Sequence, residues 1–231
     1  MEVLIIGQAR TGSTSLFFAL QSLFKTRNGE PFNPGKYVGG EIETDLQYLF
    51  KNFQLVKHMI NHLQGYDHRL LVDLIKNEKP KVIVTSRRSI SNATLSRCIA
   101  EETGSWWVSG NDVKNYQRNR IGPISSEKFR AFLLDYSEMN HEMSKLISEI
   151  SPWVATYENL FGKNKLHHLK EMCRFLQIDF YSCAREASFM KYFSSNNKMN
   201  NRDIISTVTN LAELRKISLE VVGECGFEDF L

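Results

Sequence analysis

The sequence predicts an α/β fold: a mainly parallel sheet flanked by helices in three layers, built as one domain over residues 1–231. Three observations carry this expectation. Short apolar runs rich in β-branched residues recur around Val3, Leu55, Val82 and Val154, and longer stretches of helical period separate them. The first run passes through a polar turn bracketed by Gly7 and Gly12 straight into an apolar pattern of helical spacing, the strand, loop and helix order of P-loop-like nucleotide-binding folds. A chain of 231 residues can bury the core of one such domain, and 42% hydrophobic with 24% charged residues sets it apart from disordered and fibrous chains.

Taken in order, Leu16, Leu20, Leu23 and Phe24 form a stripe that suits packing on a sheet, with Asn28-Gly29 expected to end that helix. Residues 30–40, with Pro31 and Pro34, read as a loop, and 45–53 as a short helix. Phe53 to Met59 reads as a strand carrying Lys57 and His58 at its carboxyl end. Leu70, Leu71, Leu74 and Ile75 mark a helix over 67–78 that Pro80 closes, followed by a strand from Lys81 to Arg88 and a helix over 90–102. After an aperiodic polar stretch, Phe129, Leu133, Tyr136, Met143 and Leu146 predict a long amphipathic helix that Ser151-Pro152 stops. A strand at Trp153–Leu160, a helix at 165–176, a polar loop at 193–205 and a last helix opening at Asn210 complete the chain. The four main strands are expected side by side, with their carboxyl ends forming a nucleotide crevice.

Composition narrows the function. A net charge of +3 without a basic stripe gives no expectation of nucleic-acid binding. No segment approaches the ~18 apolar residues of a membrane span, and no signal peptide is expected, because Glu2 precedes an apolar run of only four residues. Cys98, Cys173, Cys183 and Cys225 lack C-x-x-C spacing and read as reduced thiols in a cytoplasmic protein. His58 and His62 are four apart but have no third ligand at metal-site spacing, so no metal is expected.

The chemistry concentrates in the first loop. Gly7 to Thr14 has the outline G-x-x-x-x-G-K-[ST], with Ser13 in the lysine position and a cation displaced to Arg10. The missing lysine would reach the terminal phosphates of a nucleoside triphosphate, so the loop is poorly equipped for ATP. Backbone N–H groups and the helix dipole behind Gly12 still suit an anion, and Ser13, Thr14 and Ser15 add hydroxyls. The alternative is an ordinary strand-to-helix turn.

Arg10-Thr11-Gly12-Ser13-Thr14 with Leu16 resembles the R-[ST]-G-[ST]-[ST] loop of sulfotransferases that use 3′-phosphoadenosine 5′-phosphosulfate (PAPS), in particular the soluble bacterial and carbohydrate-type branches. The resemblance continues through Arg88 and Ser96, eight apart, Ala100-Glu-Glu-Thr-Gly-Ser-Trp106, Tyr157-Glu-Asn-Leu160, Phe175-Leu-Gln-Ile178 and Asn210-Leu-Ala-Glu-Leu214. Gln177 departs from it, standing where the family has glycine. The resemblance implies that Arg10, Thr11, Gly12, Ser13, Thr14 and Ser15 bind the 5′-phosphosulfate end of the donor, Arg10 also acting in catalysis. Arg88 and Ser96 are implied to hold its 3′-phosphate. It further implies that Glu30, in Gly29-Glu-Pro-Phe32, is the general base, with His58 as second candidate; Glu41 and Glu43 are rivals by their place just after Gly39-Gly40. Trp106 and Trp107 suit either ring stacking or core cover. Arg118 and Arg120 suit an anionic acceptor or a solvated loop, and Lys198 and Arg202 the 3′-phosphate or a solvated loop.

The implied activity is transfer of a sulfuryl group from PAPS to a hydroxyl, less readily an amine, of a small-molecule or glycan acceptor, a carbohydrate or lipid among them, without a metal. Two other readings stand beside it. An atypical P-loop small-molecule kinase would show magnesium-dependent ATP binding, which the absent lysine opposes. A non-catalytic nucleotide-binding protein of the same fold would bind the adenosine 3′,5′-bisphosphate product without transfer.

Overall fold

The computed structural model describes residues 1–24, 28–30, 42–60, 68–106, 121–193 and 205–225. Its centre is a parallel sheet of strand order β2-β3-β1-β4-β5. β1 (Val3–Gly7) lies in the middle, between β3 (Leu55–Met59) and β4 (Lys81–Ser86); β5 (Trp153–Thr156) extends the sheet beyond β4, and the two-residue β2 (Asn28–Gly29) extends it beyond β3. Every residue of β1 and β3 is buried. That is why these runs are apolar without alternation: a central parallel strand is covered on both faces.

The chain groups into two compact units, the first being Met1–Ser86 with His141–Phe193 and the second Arg87–Asn140 with Ser194–Leu231. In the first unit, α1 (Ser13–Gln21) buries Leu16 and Leu20 against one sheet face made by Val3, Ile5, Leu55, Ile83 and Ala155. Val3 and Ile5 are two apart along β1, and Leu55 and Ile83 are their partners in register, as one face of a pleated sheet requires. α2 (Ile42–Asn52) and α3 (His68–Glu78) bury Leu46, Leu49 and Phe50, and Leu71, Val72 and Ile75, and pack on each other. In the second unit, α4 (Ile90–Thr103) starts at Ser89, whose hydroxyl accepts the Asn92 N–H, and stops at Gly104 in the left-handed conformation.

α5 (Ser126–Ile150) is the long amphipathic helix. Near its start, the Arg97 guanidinium of α4 sits 3.8 Å from the centre of the Phe132 ring and 2.6 Å from Asp135. After β5 come α6 (Tyr157–Phe161), α7 (Lys165–Leu176), α8 (Phe180–Arg185) and α9 (Ala187–Lys191) in the first unit, then α10 (Leu211–Cys225) in the second. Asn210, from the Asn210-x-x-Glu-Leu pattern, exchanges two hydrogen bonds with the backbone of Ile124, at 3.0 and 2.9 Å, and Glu213 accepts from Ser126. That pattern holds a helix in place. No helix among the described residues is long and apolar enough to cross a membrane.

Three stretches differ from the sequence expectation. α1 ends at Gln21, so Leu23 and Phe24 are only partly buried, and Asn28-Gly29 pairs with Leu55 and Val56 as an edge strand instead of capping the helix. The strand expected through Leu160 stops at Thr156, whose hydroxyl accepts the Asn159 N–H and starts α6. α8 and α9, of six and five residues, are too short to display a helical period in the sequence.

Gln177 takes the left-handed conformation, φ 62°, at the end of α7; its N–H reaches the Arg174 carbonyl at 3.1 Å and the Ile178 N–H reaches Cys173 at 2.9 Å. A residue with a β-carbon strains there by roughly 1–2 kcal/mol, whereas glycine fits but loses more backbone freedom on folding. Gln177→Gly is therefore expected to stabilise the protein by about 0.5–1 kcal/mol, read as a higher urea midpoint. A lower midpoint would assign the Gln177 side chain a supporting contact.

Candidate functional site

Because all five strands are parallel, their carboxyl ends share one edge of the sheet, and the Gly7–Gly12 loop leaves that edge from its centre. The loop is held from inside. Thr11 Oγ1 donates to the Gln8 carbonyl at 2.7 Å and therefore accepts from Thr85 Oγ1 at 2.8 Å, which ties the loop to the end of β4. Gly7 is opposite Thr85 in the β1–β4 register, and a β-carbon on it would stand 2.0 Å from Thr85 Oγ1. Gly12 has φ 87°, and its β-carbon would meet Phe161 of α6 at 2.8 Å. The Tyr157-Glu-Asn-Leu160 segment thus brings an aromatic surface against the loop, Tyr157 and Phe161 having ring centres 4.7 Å apart. Arg10 is also left-handed, φ 65°, a strained state typical of loops that a site over-determines.

Gly12 is the N-cap of α1. Its carbonyl accepts the first intrahelical bond, from Leu16 N–H at 3.0 Å, so the N–H groups of Ser13, Thr14 and Ser15 lie ahead of the helical ladder. No side chain caps this end and its first turn holds no acidic residue. Such an end favours an anion. Thr11 and Ser13 are buried, and their hydroxyls are engaged within the protein, Thr11 as above and Ser13 with Met59 Sδ at 3.5 Å. Thr14 and Ser15 remain half-exposed.

A lysine, absent from the loop itself, arrives from the neighbouring strand. Lys57 of β3 is opposite Ile5 in the register, shares a sheet face with Leu55, and donates from Nζ to Thr14 Oγ1 at 2.9 Å. The same Nζ lies 2.9 Å from Glu30 Oε1, the two side chains being 6% and 20% exposed. Glu30 reaches this point because it directly follows β2, whose Gly29 pairs with Val56. The sequence places Lys57 at the carboxyl end of its strand but names no partner for it. Its signal was a lone lysine inside an apolar strand run, since a lysine is rarely buried there without a partner.

The other candidates lie elsewhere. His58 is buried and, one residue along the strand from Lys57, is directed to the opposite sheet face. Arg88 and Ser96 belong to the second unit, Arg88 exposed ahead of α4 and Ser96 buried within it. Trp106 is 51% exposed, which places its ring outside the core. Glu41, His62, Trp107, Arg118, Arg120, Lys198 and Arg202 fall outside the described residues, as does the side chain of Glu43. Among the described residues no group of three or more His, Cys, Asp or Glu is arranged to hold a metal ion. Cys98, Cys173 and Cys183 are free and buried, and burial pushes the Cys98 and Cys173 thiols up to about 12.

No family model matches the sequence, and no curated protein matches it. A solved structure does match, mouse sulfotransferase SULT7A1 complexed with PAP, over 93% of this chain and 75% of that one, at a TM-score of 0.51 and 17% identity. The fold is that of a sulfotransferase. At this identity the likeness is one of architecture, a parallel sheet flanked by helices.

Proposed function

We propose that the protein is a sulfotransferase, akin to the soluble bacterial and carbohydrate-type branches, that moves a sulfuryl group from PAPS to an acceptor hydroxyl, less readily an amine. The observation that carries the reading is Lys57 Nζ, 2.9 Å from both Thr14 Oγ1 and Glu30 Oε1. It brings a cation and a carboxylate together at an uncapped helix N-terminus.

The residues present fit such a donor. The start of α1 offers N–H groups, hydroxyls and a lysine, and the one carboxylate beside them, Glu30, is paired with that lysine. When bound, PAPS supplies a sulfuryl group attached to a phosphate that leaves with added negative charge. The N–H groups of Ser13, Thr14 and Ser15, with Lys57 and Arg10, hold that charge; a single well-placed donor contributes about 2.7–4 kcal/mol. Glu30 takes the acceptor proton at its carboxylate, an effect worth roughly 10²–10⁴ in rate, while Lys57 orients it. His58, on the other sheet face, is the weaker candidate for base. Arg88 is assigned the 3′-phosphate, where a planar guanidinium donates two parallel bonds, with Ser96 adding a short one. Free thiols without paired spacing support a cytoplasmic setting.

Binding of adenosine 3′,5′-bisphosphate tests the reading. At a hundred times its dissociation constant the ligand should stabilise the fold by about 2.7 kcal/mol, seen as a higher melting temperature. Arg10→Ala and Arg88→Ala are each expected to weaken binding about tenfold or more. If both variants stay folded and bind like the wild type, the nucleotide assignment fails. Stabilisation by magnesium ATP in place of the bisphosphate would indicate the kinase.

A further inference from the structure

We infer that the second unit carries a separate site for an amphipathic carboxylate, an apolar chain with an anionic head, in the cavity lined by α4, α5 and α10. The inference does not rest on the donor reading, because every residue it uses lies in the second unit.

The cavity has a volume of about 930 Å³. Protein interiors are close-packed, and concavities of about 300–1,000 Å³ are the size that receives small organic molecules. Its main wall is one face of α10: Leu211, Leu214, Arg215, Ser218, Leu219 and Val222 follow one another at intervals of three, one, three, one and three. Leu95 of α4 and Phe129 of α5, both buried, add to the apolar lining. Leu219 is 75% exposed, so this apolar wall continues to the solvent.

Charge selects the head group. The hydroxyls of the lining serve the protein itself, Ser89 accepting the Asn92 N–H and Ser91 bonding Ser218. Among the described residues no aspartate or glutamate lines the cavity, and two acids of α10 have partners: Glu213 with Ser126 and Asn210, and Glu220 with Arg130. Arg215 is the cation of the lining, exposed, and makes no ion pair among the described residues. An apolar wall beside a guanidinium complements an apolar chain ending in a carboxylate, which the guanidinium fork engages through two parallel hydrogen bonds. A cationic head meets repulsion.

Titration calorimetry of the full chain with decanoate, and with decylamine as the cationic comparison, both below their aggregation concentrations, decides it. Saturable one-to-one binding of decanoate and none of decylamine is expected. Arg215→Ala should weaken decanoate about tenfold or more. Gly223→Phe should abolish binding: Gly223 lines the cavity and a β-carbon there has nothing within 4 Å, so the ring can occupy the space without unfolding α10. Both variants should bind adenosine 3′,5′-bisphosphate like the wild type, which separates failure of this site from failure of the donor reading. The inference is overturned if decanoate does not saturate, if decylamine binds equally, or if Arg215→Ala leaves decanoate binding unchanged.

Discussion

Replacing Lys57 by methionine is expected to lower turnover about 10²–10³-fold while the protein stays folded. Methionine keeps the length and apolar stem of the side chain within β3, so what is removed is the charge between Thr14 and Glu30. Breaking a fully buried ion pair costs roughly 3–5 kcal/mol, because the remaining charge has no water. Glu30 is 20% exposed and retains access to solvent, so the stability loss should fall below that range. The rate loss has a separate origin: in the proposed reaction the lysine would sit where charge develops on the leaving phosphate, and an interaction stronger in the transition state than in the ground state is felt in kcat. Release of the bisphosphate from PAPS, measured over a panel of sugars and alcohols, reads the effect. Glu30→Gln in the same assay should lose turnover and keep bisphosphate affinity. Full turnover in Glu30→Gln would move the base to His58 or Glu41, and full turnover in Lys57→Met would remove the lysine from the mechanism.

Gly7→Ala is expected to destabilise the fold by about 2–4 kcal/mol. The added methyl would stand 2.0 Å from Thr85 Oγ1, 3.2 Å from Thr11 Oγ1 and 3.3 Å from the Thr85 carbonyl, so the centre of the sheet must move. Overpacking of this kind costs about 1–3 kcal/mol, and loss of the Thr11–Thr85 hydrogen bond adds roughly 0.5–1.5. Thr85→Ala removes the nearest atom, so the Gly7→Ala, Thr85→Ala double variant should be more stable than the sum of the two single changes implies, a coupling that urea denaturation measures. Additive losses would mean that Gly7 is required for its backbone and not for the space beside Thr85. Because the loop is fastened to β4 through that threonine pair, the single variant should also bind the bisphosphate more weakly.

The four main strands, the loop and the longer helices were legible before any coordinates, since a β-branched run and an apolar residue every three or four positions are local patterns. Glu30 was legible only by resemblance, and Lys57 only as a cation near a strand end. Arg88 and Ser96 were legible as a spacing, which says nothing of the exposure of one and the burial of the other.

By itself, then, the sequence determined the four main strands and the longer helices, and that a glycine-bracketed loop follows the first strand. The tertiary structure decided what meets at that loop. Asn28-Gly29 joins the sheet beside β3 and so delivers Glu30 to Lys57, and the parity of β3 sends Lys57 toward α1 and His58 to the other face. Alternation along β3 puts Lys57 and His58 on opposite faces, but which segments lie beside that strand, and so what Lys57 meets, depends on pairing between stretches far apart in the chain.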